Sequence, residues 1–94
     1  MQITQAALNG LDALHEAEPT TADRVEDLLD LLEVDPQDPR VRLRRFRGEV
    51  GVLANTVWFF AVRGASEDIG VFWHVEDGTV CVDRIGPWPP RVAT

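Results

Sequence analysis

His74 is the histidine of this sequence that falls within a predicted strand, and it is the best candidate for acid–base chemistry. An unperturbed imidazole titrates near neutral pH, so it can exchange a proton under cellular conditions. Strand alternation places His74 on the same face as Phe72 and Glu76. Cleavage of RNA by its 2′-hydroxyl needs a base, an acid and a cation, and His74 with Glu76 or Arg84 would supply these. A structural or merely exposed histidine is the more common alternative.

A run of arginines forms the second candidate site. Five occur within eight residues: Arg40, Arg42, Arg44, Arg45 and Arg47. Arginine binds phosphate and carboxylate groups through a planar fork of donors, so the run predicts a surface that binds nucleic acid or an acidic partner segment. Three further arginines would extend this surface: Arg63, Arg84 and Arg91. The alternative is a solvated strand paired with acidic residues of the same chain.

Metal binding and nucleophilic chemistry have little support in the sequence. His15-Glu16 and the pair His74 and Glu76 each lack a third ligand at a useful spacing. Cys81 is the only cysteine, which excludes an internal disulfide, and its mid-strand position predicts a small buried hydrophobe. No Gly-rich phosphate loop or nucleophile elbow occurs. We therefore expect no metal site and no small-molecule cofactor.

Charge is distributed unevenly along the chain. The net charge is −7, yet residues 1–38 carry ten acidic side chains against one arginine, and residues 40–47 carry five arginines and no acid. An acidic total disfavours general binding of nucleic acid, because the long-range field repels phosphate. A locally basic segment nevertheless allows the chain to bind one phosphate-bearing or acidic partner.

The length of 94 residues predicts a single domain over residues 1–94, and 45% hydrophobic residues suffice for a core without disulfides. No apolar run approaches the roughly 18 residues of a membrane span. The first residues lack a basic segment followed by an apolar one, so we expect no signal peptide. Together with the single cysteine, these features predict a cytoplasmic protein without membrane contact.

The N-terminal half predicts two helices joined by a short link. Apolar residues at helical spacing predict the first helix over residues 4–17, although Gly10 is unfavourable inside it. The second helix is predicted from Thr20, with Thr20 and Asp23 at capping-box spacing. Two prolines in residues 35–39 end it. The link is short enough for an antiparallel helical hairpin.

The C-terminal half predicts strands. Residues 40–47 alternate and then slip, which predicts a bulge near Arg44-Arg45. Residues 57–63 form the next strand, and Asp77-Gly78 predicts a type I′ turn that joins residues 69–76 to 79–85. Residues 87–94 form a Pro-rich tail. The predicted fold is α+β, with the helical hairpin packed on a twisted antiparallel sheet of three or four strands. Residues 1–4 are a candidate for an additional short strand.

This order of elements resembles the RelE/ParE superfamily of toxins from bacterial toxin–antitoxin pairs. The resemblance lies in a Leu-rich helix end before proline at residues 31–36, the basic strand Val41-Arg42-Leu43-Arg44, the hairpin at 69–80 around Asp77-Gly78, and the strand end Arg84-Ile85-Gly86. It covers residues 8–86. It implies a toxin that is neutralised by a cognate antitoxin and acts on translation by binding or cleaving mRNA at the ribosome.

The sequence departs from the family at the positions that carry catalysis. The arginine that family ribonucleases place early in the third sheet strand falls on Gly70, and the basic pair after the glycine falls on Pro87-Trp88. The basic residues of the preceding strand fall near Phe59 and Ala61, and the chain has no tyrosine. Two alternatives therefore stay open. One is a ParE-like inhibitor of DNA gyrase that acts by protein contacts, and the other is a non-catalytic interaction domain.

Overall fold

The computed structural model describes residues 1–42, 44–47 and 56–88, with the backbone alone for 44–47 and Thr56. It has the predicted α+β fold, in which a helical hairpin packs on a sheet. The elements are β1 (Gln2–Ile3), α1 (Gln5–Ala17), α2 (Pro19–Val34), β2 (Arg44–Arg47), β3 (Thr56–Val62), β4 (Asp68–Glu76) and β5 (Thr79–Trp88). Within these described residues, no helix combines the length and the apolar character needed to cross a bilayer.

The two helices begin at different kinds of cap. The Thr4 hydroxyl accepts a hydrogen bond from the Ala7 N–H at 3.1 Å, which satisfies one of the free donors of α1. The predicted capping box of α2 is wrong, because the helix already begins at Pro19 and Glu18 is its cap residue. Proline suits the first helical position, where a backbone N–H would have no partner inside the helix.

The Asp77-Gly78 turn is confirmed. Asp77 has φ of 50° and Gly78 has φ of 77°, and the turn pairs Glu76 with Thr79. Positive φ at both positions gives a type I′ turn, whose twist matches that of the flanking strands. The turn therefore fixes the register of β4 against β5.

Within the described residues the sheet has five strands in the order β1-β5-β4-β3-β2, one more than the largest predicted number of four. The candidate strand at the N-terminus is β1, which pairs in parallel with β5. Hydrogen bonds from Thr4 extend this pairing: its N–H donates to the Val82 carbonyl at 3.0 Å and its hydroxyl to the Asp83 carbonyl at 2.8 Å. The sheet is mixed because of this edge, whereas its other neighbouring strands are antiparallel.

The main core lies between the helices and one face of the sheet. Phe60, Val71 and Trp73 are fully buried there, and the indole N–H of Trp73 donates to the Val41 carbonyl at 2.9 Å. Among the helix residues buried in this core are Leu11, Leu14 and Leu32. Leu28 is partly buried, and Leu43 lies outside the described residues.

A second, smaller apolar cluster lies on the sheet face away from the helices. It contains Val57, Phe59 and Phe72, with Trp88 packed against them. The Trp88 ring centroid lies 4.9 Å from that of Phe59 and 5.3 Å from that of Phe72. The strand β5 therefore continues through Pro87-Trp88, which the sequence places in the tail.

The basic segment differs from its prediction. The strand expected from Arg40 begins at Arg44, and Arg44 to Arg47 pair one-to-one with β3. This one-to-one register shows that the bulge predicted at Arg44-Arg45 is wrong. Residues 39–41 form a turn instead of a strand, and Val41 is buried in the core. A register shift occurs elsewhere, between β4 and β5 at Phe72/Trp73.

Replacing Gly10 with alanine should destabilise the protein, although alanine is the better helix former by about 1 kcal/mol. A Cβ atom at Gly10 would overlap the Ile85 carbonyl oxygen, a backbone atom of β5. We expect Gly10→Ala to lower the free energy of unfolding by about 1–3 kcal/mol in urea denaturation. Gly86→Ala is the control, since a Cβ atom there meets nothing within 4 Å. A stabilised Gly10→Ala variant would contradict this close packing of α1 on β5.

Candidate functional site

The register shift between β4 and β5 determines which side chains surround His74. Phe72 pairs with Arg84 and Trp73 pairs with Val82, so Asp83 is an extra residue on β5. A bulge of this kind changes the direction of the side chains around it. The Asp83 carboxylate reaches the His74 ring, and the Nδ1–Oδ2 distance is 2.6 Å. Both side chains are almost fully buried, at 5% and 7% exposure.

The other ring nitrogen of His74 faces Glu76. The distance from Nε2 to the Glu76 Oε2 is 3.5 Å, and half of the Glu76 side chain is exposed. With Nδ1–H donating to Asp83, a neutral ring keeps the lone pair on Nε2. The imidazole therefore lies between a buried carboxylate that orients it and an exposed carboxylate at the surface.

Cys81 completes this cluster from the neighbouring strand. It pairs directly with His74 across the β4–β5 ladder, and it pairs with Gln2 on the other side. Its Sγ lies 3.9 Å from the Gln2 Oε1. These side chains line a pocket of about 260 Å³, which also includes Ile3, Thr4, Glu76 and Asp83. One ligand atom from each of His74, Glu76 and Cys81 lies within 4.8 Å of the others, so the hairpin supplies the third donor that sequence spacing did not offer.

The carboxylates shift the pKa of both neighbouring groups. Burial of the His74 ring acts to lower its pKa, but the hydrogen bond and charge of Asp83, together with Glu76, outweigh burial and raise the pKa of His74. Burial raises the pKa of the Cys81 thiol, and the charges of Glu76 and Asp83 raise it further. The thiol is therefore a poor nucleophile at neutral pH.

The predicted catalytic pair of His74 and Arg84 is not in contact. Arg84 is exposed and pairs with Phe72 in the ladder, whereas the partners of His74 are carboxylates. Asp83 was missed by the sequence analysis. The apolar pattern of β5 does indicate an irregularity near Asp83. Val82 and Ile85 both face the helices although they are three residues apart, which breaks the alternation of a regular strand.

Arg40 and Arg42 are engaged within the chain. Arg40 forms a two-pronged ion pair with Asp38, with Nε–Oδ1 at 3.0 Å and Nη2–Oδ2 at 2.9 Å, and this pair lowers the Asp38 pKa to about 2. The Nε of Arg42 donates to the Pro36 carbonyl at 2.9 Å. Its guanidinium group also lies 4.1 Å from the centroid of the Trp58 ring.

The remaining arginines of the predicted surface are dispersed or outside the described side chains. Arg63 is exposed just beyond β3, and its carbonyl oxygen accepts a 3.5 Å hydrogen bond from Arg24. Arg84 lies two strands away on β5. For Arg44, Arg45 and Arg47 the backbone alone is described, and Arg91 lies outside the described residues. The described arginine side chains therefore lie in three different parts of the molecule: Arg40 and Arg42 before β2, Arg63 after β3, and Arg84 on β5.

The helical layer carries a groove lined by acidic and apolar residues, which we call the acidic groove. Its volume is about 720 Å³, and its apolar lining consists of Met1, Ile3, Leu8, Leu11 and Leu29. The acidic lining residues are Asp23, Glu26, Asp27 and Asp30, which follow i, i+3, i+4 and i+7 spacing along one face of α2. Glu26 contacts His15 at 3.3 Å. Within the described part of the chain, no arginine forms an ion pair with the three aspartates.

No protein-family model, no curated protein and no solved structure matches this chain.

Replacing Asp83 with asparagine should lower the pKa of His74, because the ring remains buried while its countercharge is lost. In the wild type the folded-state pKa is raised, so the stabilisation from this pair is complete below the unfolded-state pKa and is lost as pH rises through the folded-state pKa. We expect the difference in unfolding free energy between wild type and Asp83→Asn to shrink over that window. NMR titration of the imidazole measures the pKa, with His15→Gln to assign the signals. A wild-type His74 that titrates below the ordinary range would contradict this arrangement.

Arg42 should contribute to stability more than Arg40 does. Arg42→Ala removes the stacking on Trp58 and the hydrogen bond to Pro36, and we expect a loss of about 1–2 kcal/mol in the free energy of unfolding. Arg40→Ala is the matched control and should change stability little, since 70% of that side chain is exposed. Equal losses in urea denaturation would show that Arg42 is held no more firmly than a surface residue.

Proposed function

We propose that this chain is a RelE/ParE-like toxin module that acts through protein contacts, and that its antitoxin binds the acidic groove with a basic amphipathic helix. The groove is the observation that carries the proposal. It combines apolar residues from β1, α1 and α2 with an acidic stripe along α2. An amphipathic helix with lysine or arginine beside an apolar stripe is complementary to such a surface in both hydrophobicity and charge.

The exposed apolar residues support a bound partner at this place. Leu8 and Met1 are each 38% exposed and lie beside the buried Leu11 and Leu29 in the groove. Covering a leucine side chain contributes about 1.5–3 kcal/mol at most. The neighbouring carboxylates of Asp27 and Asp30 would direct and accelerate association with a cationic segment, and they would disfavour acidic segments.

This proposal reverses the partner charge that the arginine run suggests. Arg40 already binds Asp38, and Arg42 is stacked on Trp58. Asp23, Asp27 and Asp30 on α2 are available to a partner, because they form no ion pair with a described arginine. Complementarity therefore favours a basic segment of the antitoxin over an acidic one.

Action through protein contacts has more support than cleavage of mRNA. The groups in contact with His74 are the Asp83 and Glu76 carboxylates, which repel a phosphate group instead of neutralising it. The chain also lacks the basic catalytic residues of the RelE/ParE ribonucleases, because Gly70 and Pro87-Trp88 occupy the corresponding positions. A ParE-like inhibition of gyrase is a mode of action that requires protein contacts alone. We place the protein in the cytoplasm, where such a target lies.

Expression in a bacterial host, with and without the neighbouring gene, tests the proposal. We expect growth arrest by this chain and rescue by the neighbouring product. The variant Asp27→Lys/Asp30→Lys should still arrest growth but should escape rescue, with affinity for the neighbouring product reduced about tenfold or more, because its groove repels a basic helix. Calorimetry at two salt concentrations measures that affinity.

The control is Asp12→Lys/Glu16→Lys, which makes the same change of net charge on exposed positions of α1 that do not line the groove. This control should be rescued like the wild type. Equal loss of rescue in both variants would reduce the groove to a general charge effect. Absence of growth arrest despite good soluble expression would overturn the assignment as a toxin.

A further inference from the structure

The pocket around His74 contains donors that suit a transition metal. The three donor side chains are an imidazole, a carboxylate and a thiol, from His74, Glu76 and Cys81, and their ligand atoms all lie within 4.8 Å of one another. Two come from β4 and one from the facing position of β5. This mixed set of nitrogen, oxygen and sulfur ligands is typical of zinc sites.

The spacing of the donors is close to that of a tetrahedral site. Zinc binds nitrogen and oxygen at about 2.0–2.2 Å, so two such ligands in a tetrahedron lie roughly 3.4 Å apart. The Nε2 of His74 lies 3.5 Å from the Oε2 of Glu76. Cys81 lies directly across the ladder from His74, and its sulfur lies within 4.8 Å of one ligand atom each of His74 and Glu76.

Asp83 provides the outer support that metal-binding histidines generally have. Its carboxylate holds Nδ1 of His74 at 2.6 Å, which leaves Nε2 directed toward Glu76. A carboxylate in this position fixes the tautomer and the ring orientation and increases the basicity of the ligand nitrogen. The bulge at Asp83 thus prepares the ring for coordination before any ion arrives.

From this geometry we propose that His74, Glu76 and Cys81 form a binding site for Zn²⁺, with Asp83 as the residue that positions His74. Thiolate and imidazole ligands favour zinc over calcium or magnesium, which prefer oxygen ligands alone. The three protein ligands leave the fourth tetrahedral position for a water molecule or for the Gln2 side chain, whose Oε1 lies 3.9 Å from the Cys81 sulfur.

The ion has a route to this site from solvent. His74 and Cys81 are 4% and 8% exposed and form its floor, whereas Glu76 is exposed and stands at its mouth. The carboxylates of Asp83 and Glu76 attract a cation into the pocket. The site lies on the sheet face that carries Phe72, and the acidic groove lies on the helical side, so zinc binding does not depend on the proposed partner.

Titration of the chelator-treated, reduced 94-residue chain with Co²⁺ and then Zn²⁺ tests the site. Cobalt replaces zinc in tetrahedral sites, and a thiolate–cobalt bond gives a charge-transfer band in the near ultraviolet. The chain has one cysteine, so such a band would report Cys81 alone. We expect one equivalent of Co²⁺, a charge-transfer band, loss of the band on adding Zn²⁺, and a melting temperature that rises with Zn²⁺ concentration.

Three variants assign the ligands. Cys81→Ser should abolish the band. Glu76→Gln changes a half-exposed side chain, and it should weaken Co²⁺ binding about tenfold or more while circular dichroism stays unchanged. Asp83→Asn should keep the band but weaken binding by about 10- to 100-fold, since it acts through His74.

The control is His15→Gln, because His15 belongs to a second group of possible ligands, with Asp23 and Glu26, on the exposed helical surface. This variant should bind Co²⁺ like the wild type. The proposal is overturned if Co²⁺ binds without a charge-transfer band, if His15→Gln removes the binding, or if Glu76→Gln binds as tightly as the wild type.

Discussion

The pairing of β4 with β5 determines what each face of the sheet carries. The Asp77-Gly78 turn sets the register, and the bulge at Asp83 changes it by one residue. Because side chains alternate between faces, a shift of one residue moves every later side chain to the other face. Ile85 thereby joins the core under the helices while Asp83 stays beside His74. One irregularity serves both the packing of the core and the geometry of the polar pocket.

The two faces of the sheet are built for different purposes. The helices bury one face around Phe60, Val71 and Trp73, where the Trp73 indole also holds the segment after α2 through Val41. The other face combines the aromatic cluster of Phe72 and its neighbours with the His74 pocket next to β1. β4 is the central strand and is buried on both faces. It therefore provides a rigid backbone for the His74 pocket, because any movement of β4 would disrupt the packing on both of its faces.

Some arginine side chains in this protein stabilise the fold through contacts within the chain, and others are exposed at the surface. Arg42 binds a carbonyl oxygen and stacks on Trp58, a use that its planar guanidinium allows and that a lysine ammonium would not match. The acidic residues of α2 remain without described arginine partners. The two proposed sites follow from this division, because one side of the molecule gathers carboxylates at a helix and the other gathers metal-binding donors in a hairpin.

Local sequence determined the elements of this protein, and tertiary pairing decided its sites. Helical periodicity, the two prolines after α2 and the Asp77-Gly78 turn predicted the α+β fold, because each acts through neighbouring residues. The start of β2, the parallel pairing of β1 with β5, the hydrogen bond between Asp83 and His74, and the pairing of Cys81 with His74 were not predicted. These features depend on which strands lie side by side and on one extra residue in a ladder. The energy of such long-range pairing comes from both strands together, so neither strand alone specifies it.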